Sequence, residues 1–162
     1  MIKDTPRKLA ALRIFLRVYG VLILIVFTLL FVGFIVETPL LAEHTGSLNW
    51  TIWNDVRFGH EHAHVPPMLL LIYVVWGVFL LRAARNPRAY LSFLNFTMWA
   101  NLAHGLLMAV QAAMDFDRYW SKFLTDIPFV LILALGIYLL RPSANPEQPA
   151  VVSDQTVAQH NS

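Results

Sequence analysis

The chain has 162 residues, of which 57% are hydrophobic and 14% are charged, and it contains no cysteine. Its 12 basic and 10 acidic side chains give a formal net charge of +2. This composition excludes a disulfide framework and thiol chemistry, and it is typical of a protein whose solvent is lipid. The basic residues flank apolar stretches, so the positive charge does not indicate nucleic-acid binding.

Four apolar stretches predict membrane-spanning helices, at about residues 18–36, 67–81, 90–114 and 127–140. The first, Val18 to Val36, is free of charge for nineteen residues, enough to cross a hydrocarbon core of about 30 Å at about 1.5 Å per residue. Backbone groups in lipid must be bonded internally, so the spans must be helical. The sequence therefore predicts an all-α fold, a polytopic membrane four-helix bundle over residues 1–141, with a disordered cytoplasmic tail over residues 142–162.

The distribution of basic residues predicts the orientation of the bundle. The N-terminal basic segment precedes an apolar run that is too long for a signal peptide and lacks a cleavage site, so we expect an uncleaved anchor helix. Lysine and arginine beside membrane spans are retained in the cytoplasm. Nine basic residues fall on one side by the alternation of the spans, namely Lys3, Arg7, Lys8, Arg13, Arg17, Arg82, Arg85, Arg88 and Arg141. We therefore expect a bacterial inner-membrane protein with both termini in the cytoplasm.

The outward loops then hold most of the acidic residues and histidines. Trp50, Trp53 and Phe58, with Leu48 and Ile52 nearby, predict a short interfacial helix in the first outer loop. Oxygen and imidazole groups gathered on one side of a membrane can bind a divalent metal, although outer loops need polar side chains in any case.

The first outer loop contains a cluster of His60, Glu61, His62 and His64. It matches the zinc-protease pattern HExxH, which requires a helix that places both histidines on one face. Pro66 and Pro67 follow at once and instead indicate the first turn of the second membrane helix. In an extended chain the three histidines share one face and could bind copper or zinc. A simple solvated loop is the alternative.

The third span carries a polar stripe, which we call the polar seam and which consists of Thr97, Asn101, His104 and Gln111. Their spacing places them on one side of a helix, and Asp115 continues the stripe at the outer end. Polar groups are costly in lipid, so we expect the polar seam to turn inward. It serves either adhesion between helices or, through His104, ligand binding or proton transfer. Beyond it, Thr125, Asp126 and Pro128 predict an N-cap and first turn for the fourth helix.

The second half of the chain resembles a family of small bacterial four-span membrane proteins of unknown function. The resemblance covers residues 68 to 141 and is carried by Leu71-Ile72-Tyr73, Gly77-Val78-Phe79-Leu80-Leu81-Arg82-Ala83-Ala84, Asn86-Pro87, Phe96-Thr97-Met98-Trp99, Ala103-His104-Gly105, Met108-Ala109-Val110-Gln111-Ala112 and Asp126-Ile127-Pro128. It implies a four-helix topology and draws attention to Trp99, His104, Gln111 and Asp126. It implies no activity.

Two functions remain open on this basis. The first is a non-enzymatic integral membrane subunit, an accessory or scaffold protein that associates with itself or with a larger membrane complex. The second is copper or zinc binding at the outer mouth, for delivery or as a redox or hydrolytic centre, through His60, His62 and His64 with Glu61, His104 and Asp115. Passage of a small solute along the polar seam would require an oligomer, since four packed helices leave little lumen.

Overall fold

A computed structural model describes residues 6–38 and 65–142 of the chain. Their elements are α1 (Pro6–Ile35), α2 (Val65–Arg85), a 3-10 turn (Pro87–Tyr90), α3 (Leu91–Met114), the one-turn helix α4 (Phe116–Tyr119), a second 3-10 turn (Trp120–Phe123) and α5 (Asp126–Leu140). Four segments are long and apolar enough to cross a membrane, namely Pro6–Ile35, Pro67–Arg85, Pro87–Met114 and Trp120–Leu140. The all-α class and the four candidate spans are confirmed. The predicted interfacial helix and residues 143–162 of the predicted tail lie outside the described residues.

Helix α1 is longer at its start than the apolar run that predicted it. It begins at Pro6, a residue that the first turn of a helix accommodates, and it continues through the basic segment. Leu12 and Leu16 are fully buried there, while Arg13 and Arg17 are exposed. Charge-free length alone therefore underestimates this helix, since one face of its charged part is packed.

The other end of α1 is closed by a Schellman motif. The backbone N–H of Thr38 donates to the Gly33 carbonyl at 2.9 Å, and that of Glu37 donates to the Phe34 carbonyl at 3.2 Å. Glu37 has a φ of 51°, the left-handed conformation that this motif requires. Helix α2 then begins at Val65, so Pro66 and Pro67 occupy its first turn as predicted.

The helices form two antiparallel pairs, with α1 packed along α2 and α3 packed along α5. In the first pair, Gly20 on α1 faces Gly77 on α2. A Cβ on Gly20 would lie 2.8 Å from the Leu81 Cγ and 3.2 Å from the Gly77 carbonyl oxygen. Small residues at such crossings let helix backbones approach within a membrane, where packing rather than water exclusion holds helices together.

The two pairs meet in a core that lies in the half of the bundle holding most basic residues. Its buried members are Leu12, Leu16, Tyr19, Ile23, Leu80, Ala83, Ala84, Leu94, Met98, Leu133 and Ile137. Helix α1 contacts α5 through Tyr19 and Phe129, whose ring centroids are 5.3 Å apart. Towards the opposite end, Phe34 and Leu70 form a separate small cluster between α1 and α2.

Aromatic side chains connect α2 to α3. The Trp76 ring lies 5.7 Å from the Phe96 ring, and the Phe79 ring lies 5.8 Å from the Phe93 ring, centroid to centroid. Tyr73 extends this contact to α1 by stacking on Phe27 at 4.4 Å. Large rings therefore join these two helices, whereas glycines let α1 approach α2.

The outer surface of the bundle is apolar. Large hydrophobic side chains are exposed on every long helix, including Leu29 at 68%, Ile72 at 57%, Phe96 at 63% and Leu135 at 54%. A protein surrounded by water rarely exposes so much apolar surface, whereas lipid is a good solvent for it. Together with the four candidate spans, this surface identifies a multi-pass membrane protein.

Charge is segregated between the two ends of the bundle. One end holds the start of α1, the turn between α2 and α3, and the end of α5. It carries Arg7, Lys8, Arg13, Arg17, Arg82, Arg85, Arg88 and Arg141. The described carboxylates, Glu37, Asp115, Asp117 and Asp126, all lie at the opposite end. We call these ends the basic end and the acidic end.

Candidate functional site

Two members of the polar seam are buried and bonded inside the bundle. Thr97 is fully buried and its hydroxyl oxygen accepts a hydrogen bond of 3.0 Å from the indole N–H of Trp76 on α2. Asn101 is also buried, and its side-chain amide donates at 2.8 Å to the Thr97 carbonyl, one turn back along α3. The first bond joins α2 to α3 and the second lies within α3, so both buried polar side chains are bonded inside the bundle, as expected for polar groups removed from lipid.

The other two members, His104 and Gln111, have exposed side chains. The reason is geometric, because residues seven apart in an α-helix drift by about 20° per heptad. Starting from Thr97, the drift carries positions 104 and 111 progressively away from the buried face, which includes Gly105 and Ala112. The structure therefore divides the polar seam into a bonded inner part and an exposed outer part.

Gln111 borders a cavity at the acidic end of the bundle, which we call the α3 cavity. Its volume is about 240 Å³, and it is lined by Met108, Gln111, Ala112, Tyr119 and Lys122. Three of the five side chains carry hydrogen-bond donors, and Met108 and Ala112 provide an apolar wall. The Lys122 ammonium lies over the Tyr119 ring, 5.1 Å from its centroid.

The short segment between α3 and α5 positions the lysine and the tyrosine. The Thr125 hydroxyl donates at 2.9 Å to the Ser121 carbonyl, and Ser121 itself is buried. The Phe116 and Phe123 rings pack 6.0 Å apart across the segment. Thr125 occupies the predicted N-cap position of α5, but its side chain makes no capping bond because it donates backwards. Contacts made by residues before and after Lys122 therefore stabilise the segment between α3 and α5.

Asp115 lies between α3 and α4 at the acidic end of the bundle. It follows Gln111 by one helical turn, its side chain is exposed, and its carbonyl accepts a bond of 3.0 Å from the Tyr119 N–H. Within residues 6–38 and 65–142, no three histidine, aspartate or glutamate side chains are placed to share a metal ion. His60, Glu61, His62 and His64 lie outside the described residues, so metal binding by these side chains stays a prediction.

Sequence reasoning missed Trp76 and the pair of Tyr119 and Lys122. A tryptophan in the middle of a span, away from both interfaces, needs a partner for its N–H, and this signal could have identified the bond to Thr97. Lys122 and Arg118 are basic residues at the end that holds the described carboxylates. The proximity of Lys122 to Gln111 depends on how α4 folds back on α3, which no local pattern encodes.

Comparison with known proteins identifies the family but no activity. No curated protein and no solved structure matches the chain significantly. The model of one family, described as a family of unknown function, matches residues 4–157. This match is longer than the resemblance seen in the sequence and includes all four candidate spans. The chain belongs to the DUF6632 family.

Proposed function

We propose that this protein is a non-catalytic accessory protein of the bacterial inner membrane. It associates with a second copy of itself through one side of α3. That side, which we call the α3 flank, consists of Ala100, His104, Leu107 and Gln111, spaced by four, three and four residues. The observation that carries the proposal is the exposed imidazole of His104.

The depth of His104 makes its exposure costly. His104 lies ten residues before the end of α3 at Met114, which corresponds to roughly 15 Å along the helix axis, about half of a hydrocarbon core. An imidazole that faces acyl chains at this depth lacks hydrogen-bond partners. In the described part of the chain, every buried side-chain nitrogen and oxygen has a partner. Lys122 lies within electrostatic range of His104, and a hydrogen-bonding partner outside the single chain would stabilise this imidazole further.

A second copy of the chain can supply the hydrogen-bonding partner of His104. A neutral imidazole and a carboxamide each contain both a donor and an acceptor, so His104 and Gln111 can pair with their own equivalents across a two-fold axis. Ala100, one turn from His104, leaves room for a neighbouring helix backbone. A different membrane protein offering similar groups is the alternative partner.

The test is the monomer–dimer equilibrium in lipid vesicles, measured by single-molecule photobleaching over a range of protein-to-lipid ratios. Hydrogen bonds between membrane helices contribute about 0.6 kcal/mol on average and up to about 1.7 kcal/mol. We therefore expect His104→Leu and Gln111→Leu each to weaken the dimer by about 3- to 20-fold. Leu106→Ala, at an exposed apolar position on another side of α3, is the matched control. A protein that stays monomeric at every ratio, or a double variant that dimerises like the wild type, would refute self-association.

The orientation is part of the proposal. The segregation of charge between the basic and acidic ends supports a cytoplasmic basic end, because translocation disfavours lysine and arginine. The acidic end, with the α3 cavity, would then face outward.

Metal binding at the outer mouth remains a second proposal that rests on the sequence pattern of His60, His62 and His64. Metal analysis of the purified, tag-free protein tests it, with the variant that replaces all three histidines by alanine as the control. Stoichiometric copper or zinc in the wild type and its loss in the variant would establish the site. A metal-free wild type would remove the proposal.

A further inference from the structure

The α3 cavity has the size and position of a site for a lipid headgroup. Its volume of about 240 Å³ is below the 300 Å³ or more of typical drug-sized sites and corresponds to about eight water-sized volumes. Gln111 lies three residues before the end of α3, or about 4.5 Å along the axis, just inside the edge of the hydrocarbon core. Tyr119 and Lys122 follow α3 in the chain, towards the level of the lipid headgroups.

The lining of the cavity matches a phosphate group. The Lys122 ammonium, the Gln111 amide and the Tyr119 hydroxyl can all donate to phosphate oxygens, and a charged donor makes the stronger bond. Met108 and Ala112 provide an apolar wall where the glycerol and acyl chains of a lipid would continue. Ser121, which precedes Lys122 in the chain, is buried, and the Lys122 ammonium lies over the Tyr119 ring, so the two donors lie side by side.

A carboxylate one helical turn beyond Gln111 adds the opposite charge. Asp115 follows Gln111 by one turn on the same side of α3, and its exposed carboxylate lies at the acidic end. A purely anionic headgroup would meet repulsion from this carboxylate, whereas a headgroup that also carries an amine would find a partner there.

We propose that the α3 cavity binds the phosphoethanolamine headgroup of a membrane phospholipid, with the phosphate on Lys122, Gln111 and Tyr119 and the amine on Asp115. The cation and the carboxylate then select a zwitterionic primary-amine headgroup over an anionic one. The inference shares Gln111 with the α3 flank, whereas the residues that separate its test from self-association, Lys122 and Asp115, lie outside that flank.

Native mass spectrometry tests the proposal on the full-length protein released from vesicles that contain equal amounts of phosphatidylethanolamine and phosphatidylglycerol. We expect the wild type to retain phosphatidylethanolamine at least 5-fold over phosphatidylglycerol. Lys122→Gln should lower retention of both lipids by 5-fold or more, and Lys122→Arg should preserve it. Asp115→Asn should lower retention of phosphatidylethanolamine alone, so that the preference is lost.

Arg88→Gln, a charge removal at the basic end, is the matched control and should leave the preference unchanged. Equal lipid retention by the wild type and Lys122→Gln would overturn the site. Unchanged selectivity in Asp115→Asn would overturn the role of the amine. A wild type that binds soluble phosphoethanolamine but shows no lipid preference would assign the cavity to a free solute and overturn the lipid assignment.

Discussion

The substitution Gly136→Ala tests the close approach of α1 and α5. A Cβ on Gly136 would lie 2.6 Å from each of the two Cε atoms of Phe15, whereas carbon atoms in favourable contact are about 3.5–4.0 Å apart. The Phe15 Cζ would lie closer still, so the ring must move by about 1.5 Å. It is confined by the Tyr19 ring at 4.8 Å, which in turn packs against Phe129.

Two opposing terms set the expected change in the free energy of unfolding. Overpacking of this kind costs about 1–3 kcal/mol, whereas replacing a helical glycine by alanine gains about 0.8–1.0 kcal/mol. The net effect of Gly136→Ala is then a loss of about 0–2 kcal/mol. In a Phe15→Ala background the steric term disappears, and the same substitution should stabilise the protein by up to about 1 kcal/mol.

The decisive quantity is the difference between the two backgrounds, which we expect to be about 1–3 kcal/mol. Reversible unfolding of the wild type, the two single variants and the double variant in mixed micelles measures it. Independent sites add within about 0.5 kcal/mol. An effect of Gly136→Ala that is the same in both backgrounds within that margin would refute the contact between Gly136 and Phe15.

Three further outcomes follow from the fold. In a double-mutant cycle of Trp76→Phe and Thr97→Val, the coupling free energy should be about 0.6–1.7 kcal/mol; a coupling of zero would mean that this bond does not join α2 to α3. Glu37→Gly should stabilise the protein by up to about 1 kcal/mol in thermal unfolding, because glycine adopts the left-handed conformation without the cost that glutamate pays; a loss of stability would contradict the Schellman motif. Because the chain has no cysteine, Asp117→Cys and Arg88→Cys provide single labels: in intact cells, an impermeant maleimide should modify only the former, and the reverse pattern would invert the proposed orientation.

Features that depend on short stretches of chain could be predicted from the sequence. Four helices follow from apolar length, because lipid leaves a spanning backbone no alternative to internal hydrogen bonds. Pro66 and Pro67 fixed the start of α2, since proline is tolerated only in the first turn. The clustering of most basic residues at one end also follows from the sequence, because successive spans cross the membrane in alternating directions.

Features that depend on what packs against a helix could not be predicted. The start of α1 at Pro6 rather than at residue 18 reflects the burial of Leu12 and Leu16 by other helices. Thr125 illustrates the same limit, because the nearby Ser121 carbonyl takes its hydroxyl away from the predicted cap.

The amino-acid sequence by itself determined that the chain is a four-span, all-α membrane protein with its charge segregated along the chain, because hydropathy and proline act within single segments. Only the tertiary structure decided which polar residues of α3 are bonded and which are exposed, and that Gln111 meets Lys122 at one cavity. Those outcomes depend on the gradual rotation of residues spaced by seven around the helix and on the fold of the eleven-residue connection between α3 and α5. Neither is set until neighbouring helices are in place.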